Sequence, residues 1–179
     1  MKAESQKKIN IQVELLSSIN NLDLADLCNI TEQAIKAGGG FGWLKVPPRD
    51  ILNKYWKGVM LIKNRKLIVG RLNKFIAGTL QLIFQPSNNE AQQNIFNIVS
   101  HFVAPWARGY GLAKAMIDKA EIVGIENGAN CAQLDVRETQ EAAIQLFISK
   151  GYTQWGINPN YAQVEGKNIK GLYYFKKLK

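Results

Sequence analysis

The sequence predicts a mixed α/β chain: a central, mostly antiparallel sheet of about seven strands, flanked by about four helices. Three observations lead there. Apolar residues recur at helical spacing in two stretches near the start. Three strand-like runs follow between Leu67 and Val103, the first two joined by a tight turn. Beyond a glycine-rich turn, helical and strand patterns then alternate. The 179 residues suit one domain with its own core, and no repeat, linker or low-complexity stretch divides them, so residues 1–179 read as one domain. Residues 1–8 are polar and are expected to be flexible.

Ile9 to Leu16 alternates as a first strand. Asn21-Leu22-Asp23 can cap a helix that runs to about Lys36, with Leu24, Leu27, Cys28, Thr31, Ala34 and Ile35 on one face. Gly38-Gly39-Gly40 ends it, and Phe41 to Pro47 is an apolar, glycine-rich loop. Pro48 suits the first position of a second helix reaching about Lys63. Leu67 to Leu72 and Phe75 to Phe84 form a hairpin around Asn73-Lys74. Pro86 to Gln93 is a polar loop, and Ile95 to Val103 is the next strand. Leu112 to Asn127 is a helix stopped by Gly128, Cys131 to Val136 a strand, and Thr139 or Gln140 opens a helix ending near Lys150. Tyr152 to Ile157 and Ile169 to Phe175 read as final strands separated by a polar loop, Asn158 to Asn168.

Composition narrows the function. Lysine and arginine outnumber acids 23 to 14, but the excess is scattered, with its densest cluster at Lys170 to Lys179, so no nucleic-acid partner is expected. Cys28 and Cys131 lie far apart, in no metal or redox spacing, and one histidine argues against a zinc site; no metal is expected. Met1 to Asn10 has no apolar signal core and no run approaches a membrane span, so a cytoplasmic location without a membrane partner is expected.

The turn itself carries the chemistry. A strand, then Arg108-Gly109-Tyr110-Gly111, then a helix start builds an anion site from free backbone N–H groups and the helix dipole. A phosphate-binding P-loop would need Gly-Lys-Ser or Gly-Lys-Thr, which is absent. The dinucleotide fingerprint would need a third glycine where Lys114 stands. A turn with no ligand is the remaining alternative.

The run Val103-x-Pro105-x-x-Arg108-Gly109-x-Gly111-x-Ala113 resembles the acetyl-CoA motif of the GNAT N-acetyltransferases. Leu67 to Gly70 with Phe75 to Thr79 is similar to the hairpin before that motif; Ala142 to Phe147 with Lys150-Gly151-Tyr152, and Tyr173-Tyr174-Phe175 with Leu178, resemble its later elements. Gly38 to Phe41, Pro47-Pro48 and Tyr55-Trp56 are similar to the tabtoxin-resistance branch.

The resemblance implies a sheet splayed in its middle, with acetyl-CoA as co-substrate. Phe102 and Val103 match positions whose main chain binds the pantetheine arm. The amides of Arg108, Gly109, Tyr110, Gly111, Leu112 and Ala113 match the pyrophosphate cradle. Lys114 adds charge, and Gln140 stands where many members carry an asparagine that contacts the arm. The implied reaction is direct transfer of acetyl to a neutral amine in a ternary complex.

Two positions depart from the pattern. Phe147 stands where many relatives have a tyrosine that protonates the leaving thiolate, and Asn97 where many have a glutamate base. His101, Asp135, Glu138 and Tyr152 remain as candidate acids and bases; His101 shares strand parity with Asn97 and Val103 and titrates near neutrality. Each has a structural alternative: a strand histidine with one bond, a turn or cap carboxylate, a core tyrosine. Phe41, Trp43 and Tyr55, with Trp56, are candidates to line the acceptor pocket, with Trp155 and Tyr161 opposite. The expected partner is a small-molecule amine and the chain a monomer or homodimer. A cofactor-binding module with little turnover, and a protein N-acetyltransferase, stay open.

Overall fold

The structure, a computed structural model, describes residues 9–39 and 41–179. The expected flexibility of residues 1–8 and the last glycine of the Gly38 to Gly40 stop lie outside the described residues.

Chain order is β1 (Ile11–Leu16), α1 (Asn21–Lys36), α2 (Arg49–Leu61), β2 (Arg65–Leu72), β3 (Phe75–Phe84), β4 (Ile95–Val103), α3 (Leu112–Glu126), β5 (Cys131–Arg137), α4 (Glu141–Ser149), β6 (Thr153–Val164) and β7 (Lys167–Lys177). All seven strands join one sheet in the order β1-β2-β3-β4-β5-β7-β6. Among the described residues only β4 and β5 run parallel; every other neighbouring pair is antiparallel.

The cap of α1 sits one residue earlier than its sequence suggests. The Asn20 side chain accepts from the Asp23 N–H at 2.9 Å and donates to the Asp23 carboxylate at 2.9 Å, a reciprocal cap. Pro48 flanks α2 rather than opening it, and α2 ends at Leu61. Arg49 clamps the two helices together, donating to Asn29, Glu32 and the Ala25 carbonyl.

Both faces of β3 are covered. A Cβ on Gly78 would lie 2.8 Å from Met116 of α3, whereas Gln81, three residues on and facing the other way, donates to the Tyr55 hydroxyl of α2 at 3.0 Å. Leu80, Leu82, Phe96, Met116 and Ile117 fill the core between the layers.

The predicted polar loop from Asn158 to Asn168 is instead strand. Glu165 and Gly166, both at positive φ (51° and 77°), make a two-residue hairpin turn, and Ala162, Gln163 and Val164 pair with Ile169, Asn168 and Lys167. Such a turn matches the strand twist, so the polar side chains sit on an exposed ribbon rather than a loop. An irregularity between Asn158 and Ala162 carries Tyr161 across β7, over Gly171, where a Cβ would meet its ring at 2.2 Å.

Candidate active site

A parting of the sheet makes the site. β4 pairs with β5 only from Ile95 to Ile98, opposite Cys131 to Leu134. On its other side β4 bulges: Thr79 faces Phe102 and Gln81 faces Val99, so Leu80 stands opposite both Ser100 and His101. Ser100 takes φ 50°, and its carbonyl accepts from the Thr79 hydroxyl at 3.1 Å. The bulge breaks the alternation that put His101 in phase with Asn97 and Val103. Phe96 packs beneath Gly124 of α3, and Val103, at opposite parity, packs beside Met116 of the same helix.

His101 lies at the parting, bordering the cavities on both sides of it. Its Nε2 is buried without a hydrogen-bond partner among the described residues, and its ring centroid is 5.8 Å from that of Phe147. Burial pushes its pKa down to about 4, a backbone contact at Ala113 opposing this only in part. The expectation that it titrates near neutrality is thereby corrected: the imidazole is neutral at pH 7.

Beyond β4, Gly109 (φ 85°) and Gly111 (φ 81°) adopt the left-handed conformation that brings the chain into α3. Neither is crowded; a Cβ on either would meet no protein atom within 4 Å. The backbone N–H groups from Gly109 through Lys114 bond to no described acceptor, and the first returning bond is Ala115 N–H to the Gly111 carbonyl at 3.0 Å. Gly111 caps α3 with no side-chain bond, leaving the positive end of the helix dipole open. The Arg108 side chain is exposed, its Nε 3.4 Å from the Val103 carbonyl. Lys114 and Tyr110 are exposed, whereas the Leu112 side chain is buried, so Leu112 offers only its amide. Phe102, Val103, Arg108, Ala113 and Gln140 border a cavity of about 420 Å³ beside this turn. Gln140 crosses its far wall, donating to the Gly38 carbonyl at 3.0 Å.

A second cavity of about 170 Å³ lies on the other side of His101, walled by Phe41, Asp135, Arg137, Phe147 and Tyr161. Phe41 stacks on Trp43 (5.3 Å between centroids, 8° between planes) and meets Tyr55 and Phe102 edge-on at 5.8 and 5.5 Å. This aromatic cluster fixes the loop between α1 and α2. The Tyr161 hydroxyl donates to Asp135; burial first, and then that bond, raise the phenol's pKa, so it stays protonated.

Other candidates fall elsewhere. Asp135 does border the Phe41 cavity, but it is exposed at the rim. Glu138 accepts from the Lys170 N–H at 3.0 Å and borders neither cavity. Tyr152 is a core residue with its pKa raised by burial. Trp56 is fully buried, its indole N–H on the Thr31 hydroxyl at 3.2 Å, so it does not line the pocket. Trp155 is 60% exposed on the outer strand. Trp43 borders a neighbouring cavity with Lys45 and Arg137, and Tyr55 supports the cluster from behind, its hydroxyl held by Gln81. Arg137 was missed by the sequence reading; its spacing from Asp135, two residues along one strand, places both on one face.

A model of the acetyltransferase (GNAT) family matches residues 31–152. An uncharacterized N-acetyltransferase of the hisH-hisA intergenic region of Azospirillum brasilense is 45% identical over 131 residues, covering 73% of this chain and 78% of its own length. Among solved structures, an N-acetyltransferase from Staphylococcus aureus Mu50 superposes with a TM-score of 0.79 at 19% identity, over 95% of this chain and 99% of its own. The yncA protein of Salmonella typhimurium, solved with its cofactor acetyl-CoA, superposes with a TM-score of 0.76 at 15% identity, over 94% of both chains.

Proposed function

The chain belongs to the acetyltransferase (GNAT) family, and from that premise we propose that it transfers the acetyl group of acetyl-CoA to the amine of a small molecule, by direct transfer in a ternary complex. The observation that carries this is the run of six consecutive backbone N–H groups, Gly109 to Lys114, without acceptors at the open end of α3. They fit a pyrophosphate: two left-handed glycines with clear space above them, a helix dipole, and the charges of Arg108 and Lys114. Phe102 and Val103, unpaired on the β5 side, would hold the pantetheine arm by their main chain, with Gln140 across the cleft.

Bound acetyl-CoA supplies the acetyl group as a thioester: a C–N bond forms, the C–S bond breaks, and the amine's proton balances the one gained by the thiol. His101 is the residue placed to handle that proton. It is neutral at working pH, its Nε2 has no partner among the described residues, and it borders both cavities. Asp135, exposed and hydrogen-bonded by Tyr161, links the acceptor cavity to solvent. Glu138 has no part in this scheme. The cavity behind Phe41, about 170 Å³ and open to solvent at its Asp135 rim, has room for a small amine. Both cysteines are free thiols, which fits the cytoplasm.

One observation favours a binding module instead: Phe147, 4% exposed beside His101, offers no proton donor. Free-thiol release from acetyl-CoA with an amine panel separates the two. Amine-dependent release supports transfer, whereas binding without release with any amine supports the module.

A further inference from the structure

We propose that Arg137 selects the acceptor: the amine that this chain acetylates also carries a carboxylate, held by the Arg137 guanidinium. The inference rests on the acetyl-transfer reading above and names the substrate class of the same site.

Arg137 ends β5 half-buried and borders both the Phe41 cavity and the neighbouring one under Trp43. One of its terminal nitrogens, Nη2, donates to the Phe41 carbonyl at 2.7 Å, which fixes the guanidinium against the aromatic loop. It has no ion pair with any described carboxylate. The acid nearest along its own strand face, Asp135, is engaged by Tyr161 instead. The remaining N–H groups of the fork therefore have no anion, and the charge is partly withdrawn from water. The fork is thus free to take an anionic group of a ligand in either cavity.

The guanidinium is planar with paired donors, which matches a carboxylate better than a neutral amide or hydroxyl. Lys36 and Lys45 border the same neighbouring cavity with Glu165, leaving its wall net positive and drawing an anionic group inward. His101 borders both the Phe41 cavity and the donor-side cavity, so a molecule anchored at Arg137 keeps its amine within the cavity that meets the donor.

Calorimetric titration tests this without relying on turnover. L-Leucine, L-methionine and L-phenylalanine, each with its carboxamide, are titrated into the protein loaded with coenzyme A. Wild type should bind at least one acid ten or more times tighter than its carboxamide. Arg137→Met should lose at least tenfold affinity for that acid and change carboxamide affinity by less than twofold. Arg137→Lys should recover part of the loss. Circular dichroism and the stabilisation of each variant by acetyl-CoA show that it has folded. Wild-type protein that binds no acid, or binds acid and amide equally, overturns the inference, as does an equal loss of both in Arg137→Met. Failure of the transfer reading shows separately, as no thiol release with any amine.

Discussion

Lowering the pH from neutrality toward 5 tests the burial of His101. The chain has one histidine, and burial holds His101 at a pKa of about 4 against 6.5 for an unfolded chain. Between those values the unfolded state binds the proton that the native state refuses. Stability is therefore full above pH 6.5 and falls as pH drops toward 4. At one unit per 1.36 kcal/mol, the loss is about 2 kcal/mol at pH 5 and on the order of 3 kcal/mol near pH 4. Urea melts from pH 7.5 to 5, where carboxylates contribute little, should show this slope in wild type and lose most of it in His101→Gln. A proton NMR titration of the lone imidazole should show no midpoint above pH 5. A midpoint near 6.5, or equal slopes in the two proteins, refutes the burial reasoning.

Two further substitutions test the frame and the cradle. Gly124→Ala places a methyl 2.2 Å from Phe96 on the core face of α3. Crowding should outweigh the gain in helix propensity, with a net loss of about 1–2 kcal/mol and a lower thermal midpoint; a raised midpoint contradicts the packing. Arg108→Ala should weaken acetyl-CoA binding about five- to twentyfold at low salt, the difference shrinking as ionic strength rises. Titration at two salt concentrations checks it, and unchanged affinity makes Arg108 purely structural.

Much of this was legible in the sequence because it is local. The Asn73-Lys74 hairpin, the Gly109 and Gly111 turn and the apolar periodicity of α1 and α3 are written in neighbouring residues, and the structure keeps them. What escaped depends on residues distant in the chain. The bulge at Ser100 comes from pairing with β3, and it undoes a parity argument that holds for a regular strand. The pKa of His101 is set by whatever packs around it. Tyr161 reaches Asp135 only because Gly171 leaves its ring a place on β7. Arg137 reaches the Phe41 carbonyl across 96 positions of sequence. The long polar stretch after Ile157 misled for a different reason: an exposed ribbon has no apolar face to signal it.

The backbone cradle at Gly109 to Lys114 is tested most directly by calorimetric titration of acetyl-CoA into wild type, Gly111→Val and Gly128→Val. Both glycines have left-handed φ (81° and 82°) and open space around a Cβ, one at each end of α3. A valine at either should cost about 1–3 kcal/mol of stability. The amides bind the pyrophosphate if Gly111→Val loses at least tenfold affinity while Gly128→Val stays within twofold of wild type. Equal affinities in all three proteins contradict it.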